Sequence, residues 1–184
     1  MEQVGKCKLS KNTKIQRKRA KDVLFFATGI KEPIAHIGYG DFLKLNHTTI
    51  VNANDFNFDQ FTFTKRYNTV FCFEILEHLQ NPLFFLKQIK SIMSEDGVLY
   101  LSTPNKPKFL WSEFHYNEIS ASHMQKWLLD PLNMEIVRKK RLRMNLWTDY
   151  LIGFRPFLRA LKNPMPLIKT LTNITWIYEI KLKN

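Results

Sequence analysis

Residues 68–105, NTVFCFEILEHLQNPLFFLKQIKSIMSEDGVLYLSTPN, change hydrophobic period twice. Asn68–Phe73 is a continuous apolar run, the pattern of a strand covered on both faces. From Glu74 to Met93 the apolar residues Ile75, Leu76, Leu79, Leu83, Leu86, Ile89 and Ile92 recur at helical spacings. Pro82 breaks this stretch into two helices, because proline has no N–H for an interior turn. Asp96-Gly97 closes the segment, and Val98–Leu101 is a second strand. Strand, helix, strand predicts a βαβ unit, and therefore a parallel sheet with helices on its faces.

Working outward, Ile34–Ile37 is a short apolar run stopped by Gly38-Tyr39-Gly40, and Thr48–Ala53 is rich in β-branched residues. Both read as strands. Thr28-Gly29 ends the apolar patch Val23–Ala27 as a helix C-cap would. Downstream, Thr103–Ser120 is loop-like, Ser122–Leu129 helical, and Met134–Met144 a strand with a basic outer half. The alternation of Ile174–Leu182 suits a half-exposed edge strand. The predicted fold is α/β, with a mostly parallel sheet flanked by helices. Residues 1–21 read as a basic leader and 22–184 as one domain. Within that domain, residues 146–170 interleave aromatics and cations, as in a substrate lid or a membrane-touching segment.

The 184 residues suffice for one cored domain, and a hydrophobic share of 45% is that of a globular chain. The net charge of +12 is unevenly spread. Residues 1–31 carry nine basic and two acidic side chains, residues 32–137 eight and twelve, and residues 138–184 eleven and two. Basic ends suit an anionic membrane surface or a nucleic acid, and equally suit plain solubility. Two distant cysteines, Cys7 and Cys72, make neither a disulfide framework nor a zinc spacing. There is no signal-peptide pattern and no run of about 18 apolar residues. The expected setting is the cytoplasm, peripheral to a membrane where the basic ends engage one.

If a helix begins directly after the first strand, Glu74, Glu77 and His78 fall at i, i+3 and i+4 on one face. They also lie at the C-terminal end of a parallel strand, where open α/β sheets keep ligands. Such a face can hold a divalent cation, share a proton, or simply be a solvated helix start.

The quoted stretch, extended by Tyr67, resembles Rossmann-fold methyltransferases of the ubiquinone-biosynthesis-like group. The likeness rests on Tyr67, Val70, the block Glu74-Ile75-Leu76-Glu77-His78-Leu79, Pro82, Gly97 and Ser102-Thr103-Pro104-Asn105. Asn68 departs from it, standing where the group has Asp. A second, looser match runs through EFHYNEISASHMQKWL, at His115, Glu118, Ile119, Ser120 and Leu128. The resemblance implies S-adenosylmethionine as cofactor, held by the glycine turn Gly38–Gly40, by Asp55 and by Phe73. It implies His78, His115 and Glu74 as catalytic residues. In some relatives it implies a metal site, here Glu74, Glu77, His78 and His115, with Mg²⁺ or Mn²⁺ as the ion.

About 27 residues separate Gly40 from Asn68, where the group fits two strand–helix units, so the N-terminal half is expected to be shortened. The activity implied is methyl transfer to an oxygen or nitrogen of a small-molecule, sugar or lipid-linked acceptor. RNA methylation and a non-catalytic binding role on the same fold are the alternatives.

Overall fold

The computed structural model describes residues 13–38, 43, 45–46, 48–52, 65–105, 113–143 and 174–183. Gly40, Asp55 and the expected lid over 146–170 lie outside the described residues. The order is α1 (Thr13–Phe26), β1 (Ile34–Gly38), β2 (Thr48–Asn52), β3 (Tyr67–Phe73), α2 (Pro82–Ile92), β4 (Met93–Pro104), α3 (Ala121–His123), β5 (Met134–Arg143) and β6 (Ile174–Leu182). A single 3₁₀ turn, Leu76–His78, stands between β3 and α2. Beyond α3 the chain runs on as a π-helical stretch, Met124–Leu129, and a 3₁₀ turn, Asp130–Leu132.

The described strands form one sheet in the order β2-β1-β3-β4-β6-β5. β1 pairs in parallel with β2 and β3, β3 with β4, and β6 runs antiparallel between β4 and β5. Alternation along each strand feeds two cores. Ala35, Ile37, Val70, Cys72, Leu99 and Leu101 face Phe85, Leu86, Ile89 and Ile92 of α2. On the other side Ile34, Phe71, Phe73 and Tyr100 meet Ala20, Val23 and Phe26 of α1. The apolar strands predicted from continuous runs are therefore covered on both faces.

Between β1 and β3 the described residues hold one strand, β2, in keeping with a shortened N-terminal half. The edge-strand reading of Ile174–Leu182 is corrected: β6 is interior, with Thr175, Ile177, Tyr178, Glu179 and Ile180 buried. Its alternation separates two buried faces, because Arg138 on β5 offsets the charge of Glu179. The edge goes instead to β5, whose five cations discourage pairing with another chain.

Asn68 also finds its reason. Its amide donates to the Glu32 carbonyl, a bond for which a carboxylate has no proton.

The α2–β4 junction is tight. Ile92 passes directly into β4, and the pairing with β3 jumps from Tyr67↔Met93 to Thr69↔Val98. A Cβ on Gly97 would stand 2.8 Å from the Ser94 carbonyl oxygen and 3.2 Å from that of Tyr67. Gly97→Ala should therefore lower the unfolding free energy by about 1–3 kcal/mol in urea titrations, since backbone rather than a side-chain tip must yield. A midpoint equal to that of the parent would contradict this account of the turn.

Candidate active site

The chain runs from β1 outward to β2, then returns past β1 to β3. The strand order therefore reverses between the C-terminal ends of β1 and β3, the position where open parallel sheets leave a crevice. Gly38 ends β1 and Phe73 ends β3. A methyl group at position 38 would lie 3.4 Å from the Phe73 carbonyl oxygen, an ordinary contact, so the two strand ends stand close together and Gly38 adds no side chain between them. His36, two residues inward, is buried in edge-to-face contact with Phe71 and Phe73.

After Phe73 the chain does not enter a helix. Glu74 has φ = +54°, a left-handed conformation that costs a non-glycine residue roughly 1–2 kcal/mol. Two contacts with β4 oppose that cost. The Glu74 N–H donates to the Ser102 carbonyl at 3.1 Å, and the Ser102 hydroxyl donates to Glu74 Oε1 at 2.8 Å. At about 1 kcal/mol each, these bonds roughly cancel the strain.

The helical face expected for Glu74, Glu77 and His78 therefore does not form. The left-handed turn gives the Glu74 carboxylate to Ser102, while Glu77 and His78 ride on the 3₁₀ turn that follows. Candidate ligand atoms of Glu77, His78 and His115 all lie within 4.8 Å of one another, and Glu74 is not in that group.

A 3₁₀ turn leaves carbonyls unsatisfied, and the segment after β4 supplies the donors. The backbone N–H groups of Tyr116 and Asn117 donate to the Glu77 carbonyl at 2.7 and 3.3 Å. The Asn117 side chain donates to the Leu79 carbonyl at 2.9 Å. These bonds bring His115 beside His78, their ring centroids 5.0 Å apart and edge to face.

Both imidazoles are held through Nδ1. His78 Nδ1 donates to the Phe114 carbonyl at 3.0 Å, since a carbonyl can only accept, so the lone pair of the neutral ring is on Nε2. His115 Nδ1 lies 2.8 Å from Oε1 of Glu118, whose side chain is fully buried. Burial lowers the His78 pKa from the ordinary histidine value, and neighbouring His115 adds to this. The Phe114 carbonyl and Glu74 act in the opposite sense. Under the same surface, burial and then Glu77 and Glu74 push the Cys72 thiol up, leaving it a poor nucleophile.

Of the residues singled out in the sequence, the structure brings Glu77, His78 and His115 together, leaves Glu74 outside that group, and places Gly38 and Phe73 at the strand ends bordering the crevice. The sequence reading missed the roles of Ser102, Asn117 and Glu118. Ser102 and Glu118 sit inside quoted motifs, but their partners are 28 and three residues away.

A sequence model of the methyltransferase domain family matches residues 14–145. The ubiquinone biosynthesis O-methyltransferase of Haemophilus ducreyi is 38% identical over 64 residues, which are 35% of this chain and 22% of that protein. Its counterpart from Glaesserella parasuis is 38% identical over 45 residues, 24% and 19% of the two chains. The chain thus spans about a fifth of the length of the curated relatives it matches. Among solved structures, the N-methyltransferase NodS from Bradyrhizobium japonicum, in complex with S-adenosyl-L-homocysteine, aligns with a TM-score of 0.61 at 11% identity. That alignment covers 95% of this chain and 90% of NodS. An O-methyltransferase of a Brevibacillus brevis multienzyme, also with S-adenosyl-L-homocysteine, gives 0.55 at 13% identity, covering 91% and 72%. At these identities the likeness is one of fold.

The His78 shift has a consequence for stability. The folded chain keeps this ring neutral at pH values where the unfolded chain protonates it, so proton uptake favours unfolding. Stability present above the ordinary value, about 6.5, should be lost as pH falls through the lower folded value. The NMR titration of His78 should show a midpoint below that of a free histidine. His78→Asn should flatten this part of the stability profile, and a profile identical to the parent's would contradict the assignment.

Proposed function

The chain belongs to the methyltransferase domain family, and on that premise we propose that it transfers a methyl group from S-adenosylmethionine to an oxygen or nitrogen of a small-molecule, sugar or lipid-linked acceptor. The observation that carries this reading is the imidazole pair His78–His115 beside the β1/β3 crevice, with the His78 proton fixed on Nδ1. When bound, the cofactor supplies an electrophilic methyl group. Gly38 and Phe73 would line its pocket, with Gly40 and Asp55 proposed as further contacts. The absence of a side chain at Gly38 is compatible with such a ligand.

The chain's own contribution is placement and proton handling. His78, neutral near pH 7, offers Nε2 to an incoming hydroxyl or ammonium proton. His115, oriented by Glu118, serves as the second acceptor. Glu74 holds the ends of β3 and β4 together rather than touching the proton, a narrower role than the sequence suggested.

A second reading is favoured by the same bonds. Nδ1 of each histidine is engaged by a carbonyl or a carboxylate, as metal-ligating imidazoles are, and a carboxylate lies within reach. Glu77, His78 and His115 would then hold Mg²⁺ or Mn²⁺ and orient the acceptor. His78 Nε2 cannot serve as ligand and as base at once, so the two readings separate experimentally.

Calorimetry with S-adenosylhomocysteine tests the first proposal. Binding tighter than about 1 mM is expected, with Gly38→Val weakening it roughly tenfold or more. A folded parent chain that shows no heat would assign it to the non-catalytic alternative. For the metal reading, Mn²⁺ titration followed by electron paramagnetic resonance should give one bound ion that His115→Ala abolishes. Signals of free Mn²⁺ throughout would leave His78 as the base.

A further inference from the structure

The two basic segments of the sequence meet in the fold. α1 carries five cations and one acid over Thr13–Phe26, and β5 five and one over Met134–Arg143. Arg138 ties them: its guanidinium donates to the Phe26 carbonyl at 3.1 Å and to Thr28 Oγ1 at 2.9 Å, and lies 4.9 Å from the Phe26 ring. Arg138 is itself neutralised by Glu179. On the same face, Lys140 of β5 and Lys21 of α1 form no ion pair with a carboxylate among the described residues, while Lys139 and Arg141 alternate to the other side of the sheet.

Beside Lys21 and Lys140 stands an apolar side chain that the core does not cover. Phe25 is 80% exposed at the end of α1, one helical turn from exposed Lys21, with the Lys140 ammonium 5.0 Å from its ring. Cations gathered on one face attract a polyanionic partner.

We infer that the α1–β5 face docks on an anionic lipid surface. Phosphate-rich partners of any kind reward the cations. An exposed phenylalanine with an ammonium over its ring is additionally rewarded by the headgroup–acyl boundary, where apolar groups leave water while cations stay at the phosphates. No helix of the described residues is long and apolar enough to cross a membrane, so this contact is peripheral. The inference is independent of the proposed chemistry, because no group of the His78–His115 pair takes part.

Flotation of the full chain with vesicles tests it. The protein should rise with phosphatidylcholine vesicles doped with phosphatidylglycerol, stay behind with pure phosphatidylcholine, and be released by high salt. Lys140→Glu and Lys21→Glu, on separate elements, should each weaken partitioning about fivefold or more. Phe25→Ser should weaken it with the charge unchanged. Circular dichroism melts matching the parent would tie these losses to the surface. Equal flotation with neutral vesicles, charge reversals without effect, or retention by single-stranded RNA in place of anionic vesicles would each overturn the inference.

Discussion

The candidate site depends on one residue held in a conformation its side chain does not favour. Glu74 turns left-handed at the end of β3, and that turn is kept because Ser102 on β4 binds both its N–H and its carboxylate. Had the chain continued as a helix from Glu74, the Glu77 carbonyl would have been used within it. Instead it is presented to Tyr116 and Asn117, and the loop after β4 is drawn over the turn. The pairing of His78 with His115 follows from that substitution of partners. Strain of this kind persists where the surroundings over-determine it, and here two parallel strand ends do so.

The opposite face rests on a second polar knot. Arg138 and Glu179 cross the β5–β6 pair, the Tyr100 hydroxyl donates to the Thr28 carbonyl at 2.9 Å, and the Arg138 guanidinium reaches the end of α1. Burial, with Glu179 adding to it, pushes the Tyr100 phenol up to about 12, so it stays a donor at any physiological pH. A buried carboxylate in an interior strand would ordinarily be costly. It is tolerated because the guanidinium binds it through two nitrogens and part of that group remains solvated. The β1/β3 crevice and this knot lie on the same sheet.

Much of this was legible in the sequence because it is written in local periods. The runs at Asn68–Phe73 and Ile34–Ile37, the helical spacing through Ile92 and the break at Pro82 all specify their elements within a few residues. What was not legible depends on distant partners. The pattern Glu74, Glu77, His78 has helical spacing, and nothing near it announces that Ser102 will capture the first member. Asn117 is an ordinary loop residue until Leu79 needs a donor. ITWIYEIKLK alternates as an edge strand would, and its interior place becomes intelligible only when Arg138 is set opposite Glu179.

The interior place of β6 also bears on how the sheet is assembled during synthesis. β2, β1, β3 and β4 can pair as soon as residue 104 has emerged, but β5 touches the sheet through β6 alone among the described strands. From Met134 until Ile174–Leu182 is made, β5 has no ladder to join, and its closely spaced positive charges keep it in water. Strand β6 then inserts as a wedge between β4 and β5, antiparallel to both. Among the described strands, the pairing of β6 is thus a long-range closure that costs chain entropy before any ladder bond forms. Nascent chains halted before residue 174 would carry the half-sheet with the histidine turn intact, and a soluble, unpaired cationic ribbon beside it.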